Sequence, residues 1–174
     1  MKITNRHLEE AFHFSFPQVK RWAVACLGKD PGADQAKGVH REYEIDDGYK
    51  IFFMGNLVMD YRFGLDEAKR HIENIWDKFA SHGLLPSQNW DKKSTVDIGR
   101  VNLTIFATEP PAYHLEWVLG VERVSTSEGE EEIIQRLKTE QFPKEVVVHF
   151  NAPMHVVPLN RFLGEFITGI KKVI

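Results

Sequence analysis

The residues best suited to chemistry are Gln18, Lys20 and Arg21. They stand near the start of a predicted helix with Ser15 as its N-cap and Pro17 in its first turn, where a missing N–H costs nothing. Val19, Trp22, Ala23 and Cys26 mark one face of that helix, the three polar residues lie mostly off it, and Gly28 ends it. In a DNA major groove glutamine can read adenine, and lysine or arginine can read guanine or hold a phosphate. A shorter helix precedes, with Thr4 as N-cap and Leu8, Ala11 and Phe12 as its apolar stripe, and His13-Phe14-Ser15 breaks the pattern. Two short helices, a tight turn and a basic start to the second predict a helix-turn-helix.

Lys29 to Gly38 is rich in Gly, Pro and Asp and reads as a loop; His40 to Ile45 then alternates like a strand. A basic hairpin beside a recognition helix is a wing, and Lys37, His40 and Arg41 would hold the DNA backbone from it.

In order and spacing, Ser15, Val19-Lys20-Arg21-Trp22, Gly38, Arg41-x-Tyr43 and Phe63-Gly64-Leu65-Asp66-Glu67-Ala68 resemble the MerR-like winged helix-turn-helix regulators. The last run is similar to the family's GFSLEEI step into its fourth helix, with Arg62 in place of the Gly and Gly64 in place of the Ser. The resemblance covers roughly the first 80 residues, the usual extent of such a module. It implies a DNA-contact set of Ser15, Gln18, Lys20, Arg21, Lys37, His40, Arg41 and Tyr43, with packing of Tyr43 on the second helix as the other reading of that residue. It also implies action as a homodimer on a pseudo-palindromic duplex. In that family a long dimerisation helix follows; no heptad run of that kind is present here.

The net charge is −3, but between Ser15 and Arg41 five cations (Lys20, Arg21, Lys29, Lys37, Arg41) face only Asp30 and Asp34. A locally basic face on an acidic chain suits specific DNA binding better than non-specific coating. The hydrophobic fraction of 43% and charged fraction of 27% are those of an ordinary globular protein. No apolar run approaches a membrane span, and MKITNRHLEE lacks the apolar centre of a signal peptide, so a cytoplasmic location is the expectation. One cysteine, Cys26, excludes an intramolecular disulfide and a Cys-cluster metal site; it reads as a buried structural thiol.

After the wing, Asp46-Asp47-Gly48 reads as a turn or helix start. Tyr49 to Arg62 reads as a buried helix weakened by Gly55-Asn56. Leu65 to Phe79 is the clearest amphipathic helix; its Trp76 and Phe79 are core or a dimer seam, with core favoured. Gly83 caps it and Pro86 stops it. Ser81 to Thr95 is a polar connection and the candidate boundary, giving a DNA-binding domain over 1–86 and a second domain over 87–174. The second half reads as strands at 96–108 and 113–125, a helix at 127–140, a strand at 144–151 and a helix at 158–173. The fold class expected is α+β: a winged helix-turn-helix followed by a small β-β-α-β-α domain.

Catalytic groups are sparse. His114, His149 and His155 could meet as metal ligands or as acid and base, but their spacing matches no zinc signature, and a half-buried strand histidine is the plainer reading. Glu116 and Glu122 share the polar face of one predicted strand, where a solvated sheet explains them. No catalytic residue, metal site or cofactor is assigned. The reading is a DNA-binding transcriptional regulator whose second domain dimerises, binds a small-molecule effector or contacts a protein. The alternative is a protein-interaction adaptor that uses the winged helix without DNA.

Overall fold

The computed structural model describes residues 1–28, 41–91, 100–108, 111–125, 131–142 and 154–174. Strand β1 (Lys2–Thr4) leads into α1 (Asn5–Phe12), where Thr4 Oγ1 accepts from the His7 N–H and His7 Nδ1 accepts from the Thr4 N–H. A histidine thus takes the part that glutamate or glutamine plays in a capping box. His13 closes the helix in the left-handed region, at φ 57°. Helix α2 (Phe16–Leu27) begins after Ser15 and ends at Gly28, whose φ of 70° suits glycine.

Strand β2 (Glu42–Glu44) pairs antiparallel with β1, Ile3 opposite Tyr43. It covers part of the strand expected at 40–45; the loop expected at 29–38 lies outside the described residues. Helix α3 (Ile45–Met59) follows at once, with Asp46 and Asp47 in its first turn. It runs unbroken through Gly55 and Asn56 and is buried on every side from Ile51 to Leu57, the mark of a central helix. A Cβ at Gly55 would lie 2.7 Å from the Trp22 ring, so glycine there lets α2 and α3 approach. Asn56 satisfies itself by donating Nδ2 to the Phe52 carbonyl, 2.8 Å away.

Helix α4 (Leu65–Ser81) matches its apolar stripe: Ala68, Ile72, Ile75 and Phe79 are buried. Trp76 and Phe79 belong to the core aromatic cluster, their rings 6.1 Å apart. Pro86 does not stop α4; it opens a short helix, α5 (Pro86–Asn89), after Gly83 has turned the chain. Proline at a first helical position is as natural as proline after a last one.

Just before α4, Arg62 holds φ at 62°. A non-glycine residue costs about 1–2 kcal/mol there. Arg62→Gly is therefore expected to raise stability by about 1 kcal/mol, read as a higher urea midpoint with an unchanged slope; a lower midpoint would refute the strain.

The second sheet contains β3 (Arg100–Phe106), β4 (Ala112–Ser125), β5 (Glu131–Phe142) and β6 (Met154–Pro158) in the order β5-β4-β3-β6, every pair antiparallel. Val101, Leu103, Ile105, Tyr113, Leu115, Trp117 and Val157 are buried at alternating positions and mark one face. The helix expected over 127–140 is corrected: Glu131–Phe142 is a strand. EEIIQRLKTEQF is rich in helix formers, and Ile133, Ile134 and Leu137 fit a helical stripe. Pairing wins because β4 would otherwise present a long row of unpaired backbone groups, and β5 meets it from Tyr113↔Phe142 to Ser125↔Glu131. The strand expected at 144–151 lies outside the described residues.

Helix α6 (Leu159–Val173) is the last of the described elements. Two compact units are distinguishable: Met1–Lys93 together with Phe162–Ile174, and Ser94–Arg161. The last helix thus groups with the first unit, whereas the sequence reading put it with the sheet. Its Phe166 ring stacks on Phe12 at 5.7 Å and lies 5.2 Å from Tyr49, and its Phe162 lies 6.0 Å from Phe53. Gly169 comes so near Phe12 that a Cβ would sit 2.7 Å from the ring. The whole is a mixed α and β chain of the α+β class.

Candidate nucleic-acid interface

Helix α2 has two unlike sides. Val19, Trp22 and Ala23 are buried; Phe16, Pro17, Lys20, Arg21 and Val24 are exposed. The buried side packs on α1, α3 and α4, and Phe14 sets an edge-on ring contact with Trp22 at 4.9 Å. These contacts fix the helix and turn Lys20 and Arg21 outward.

Ser15 and Gln18 are engaged with each other. The Gln18 Oε1 accepts from the Ser15 N–H at 2.9 Å and from its hydroxyl at 2.8 Å, and Nε2 donates to Met59 Sδ at 3.8 Å. To read a base, Gln18 must give up its cap, which lowers its value as a contact relative to Lys20 and Arg21. Arg41 is half-buried, with its guanidinium 5.6 Å from the Phe16 ring centroid. Tyr43 is 2% exposed and donates its hydroxyl to Asn5 Oδ1, so it anchors β2 on α1. Lys37 and His40 lie outside the described residues.

A groove of about 610 Å³ runs beside α2, lined by Pro17, Lys20, Arg21, Val24, Leu65 and Lys69 among others. The sequence reading missed Lys69. It is 48 positions beyond Arg21, and only the packing of α4 on α2 brings the two together. Lys69 also faces Glu73, with Nζ 3.8 Å from the carboxylate. Asp66 lines the same groove and moderates its positive field.

No protein-family model matches the chain, and no curated protein or solved structure matches it either.

The other groups singled out in the sequence do not converge. His114 lies opposite Thr104, and Thr104 opposite Val156; His155 lies opposite Ile105. One residue of register puts the two histidines on opposite faces of the sheet. His149 lies outside the described residues. In the backbone register Glu116 stands opposite Thr139 and Glu122 opposite Ile134, with a β-bulge between Val118 and Gly120 separating the two positions. Among the described residues, no group of three His, Cys, Asp or Glu is arranged to hold a metal ion.

A second cavity, about 370 Å³, is lined by Lys2, Cys26, Glu42, Glu44, Asp47 and Lys50 among others. Burial pushes the Cys26 thiol up to about 12, against the pull of the Lys50 charge. The folded protein should react with a disulfide reagent at pH 8 far more slowly than the unfolded chain, since the thiolate is the nucleophile. The raised pKa contributes stability that is whole below pH 9 and lost as pH rises toward about 12. The unfolding free-energy advantage of the wild type over Cys26→Ala should shrink across that window; a constant difference would count against the burial effect.

Proposed function

We propose that this chain is a DNA-binding transcriptional regulator of the MerR-like winged helix-turn-helix kind, acting as a homodimer on a two-half-site duplex. The observation that carries it is the outward face of α2, with Lys20 and Arg21 exposed over a buried Val19, Trp22 and Ala23. The start of such a helix fits a major groove, with neighbouring cations on the phosphates. Arg62 at positive φ, directly before Phe63-Gly64-Leu65, supports the resemblance, since the family carries glycine at that position. The unit with the sheet supplies dimer contacts, or binds a small-molecule or protein effector.

The test is fluorescence anisotropy against a random duplex pool at low and moderate salt, with bound sequences recovered. Enriched sites with two related half-sites are the expected result. Absence of binding at low salt would transfer the assignment to a protein-interaction adaptor. One feature favours that second reading: the groove beside α2 has an apolar share, from Pro17, Val24, Ala25 and Leu65.

A further inference from the structure

Phe16 is the first residue of α2 and is 48% exposed. A single exposed apolar side chain is ordinary in itself. Position and orientation set this one apart. It shares a helical row with Lys20, four residues on. Its neighbour Phe14 turns inward onto Trp22, so the aromatic demand at this corner is already met. The Arg41 guanidinium lies over the Phe16 ring, 5.6 Å from its centroid, which restricts the ring by a cation–π contact. The Arg41 backbone is held beside α1, its carbonyl accepting from the Asn5 N–H at 3.4 Å.

The first residues of a recognition helix are those that meet base edges. On the major-groove edge of a base pair, the one apolar group is the thymine 5-methyl. We propose that Phe16 is a specificity-determining residue that packs its ring on a thymine methyl in each half-site, with Arg41 as the positioning residue that holds the ring. The inference rests on the DNA-binding reading and adds to it a base preference read through apolar contact.

The experiment replaces each thymidine of the recovered site by deoxyuridine, one at a time, which removes only the methyl. Binding of the full chain is measured by anisotropy at fixed salt. One thymine per half-site should matter, with affinity falling about fourfold for the wild type, the effect of one buried methyl group. Phe16→Ala should bind the thymine and uracil duplexes equally while its salt slope stays that of the wild type. If Phe16→Ala does not fold, as judged by circular dichroism, Phe16→Gln gives the same comparison with a polar side chain of similar reach. Uracil tolerance at every position in the wild type would overturn the inference, as would full methyl sensitivity in the Phe16 variant. Binding without methyl sensitivity removes only this inference; absence of duplex binding at low salt removes the regulator reading and this inference with it.

Discussion

Deleting residues 162–174 is expected to leave a chain whose first unit no longer unfolds cooperatively. Phe162, Leu163, Phe166, Ile167 and Ile170 are all buried. The rings of Phe162 and Phe166 meet Phe12, Tyr49, Phe52 and Phe53, so removing the helix uncovers α1 and α3 together. Five large apolar side chains contribute about 1.5–3 kcal/mol each on full burial. That sum is of the same order as the whole stability of a typical domain, about 5–15 kcal/mol. A milder version tests the same packing: Phe166→Ala should destabilise the full chain by about 3–5 kcal/mol, through lost transfer energy and the cavity left behind. Lys172→Ala, at an exposed position on the same helix, is the control and should stay within about 0.5 kcal/mol. Urea unfolding followed by circular dichroism reads all three. A truncated chain with a sharp, native-like transition would show that α6 is an accessory to the first unit.

The double substitution Lys20→Ala with Arg21→Ala should weaken duplex binding severely while leaving the fold intact. Both side chains are exposed, so the melting curve should barely move. A residue that reaches a base edge is expected to cost about 1–3 kcal/mol and to relax specificity at its position. A residue that neutralises a phosphate should weaken all sequences alike and lower the salt slope by about 1. Measuring the two single variants at several salt concentrations assigns each role. Lys69→Ala, lower on the same groove, should show a smaller loss because Glu73 already shares its charge. Unchanged affinity in the double variant would remove α2 from the interface and turn attention to protein partners of the groove.

Local signals carried much of the helical architecture. Thr4, Ser15 and Gly28 bound α1 and α2 where capping chemistry places them. The stripes of α4 and α6 were legible because their apolar residues recur at helical spacing over several turns. Glu131–Phe142 was not legible, since its residues suit a helix and its strand state depends on the distant edge of β4. Nor could Pro86 reveal its role, since proline serves equally after one helix and at the start of the next. At the candidate interface, the outward set of Lys20 and Arg21 followed from periodicity alone. The burial of Tyr43 and the approach of Lys69 are long-range facts that no spacing rule contains, whereas the capping engagement of Gln18 follows the Ser15-x-x-Gln18 spacing of a capping box, a signal the sequence carried unused.

The grouping of Phe162–Ile174 with Met1–Lys93 also bears on how the protein is made. Read along the chain, the sheet-bearing unit is an insertion within the other, which is written in two pieces. A ribosome releases the first piece long before the second. At roughly 5–20 residues per second, the wait is on the order of ten seconds. Through that interval Phe12, Tyr49 and Phe52 lack the ring that later covers them, a sticky surface on a nascent chain. Helix α6, synthesised after both α1 and α3, therefore acts as a closing latch, and a substitution that disrupts it would be felt at the amino-terminal helices.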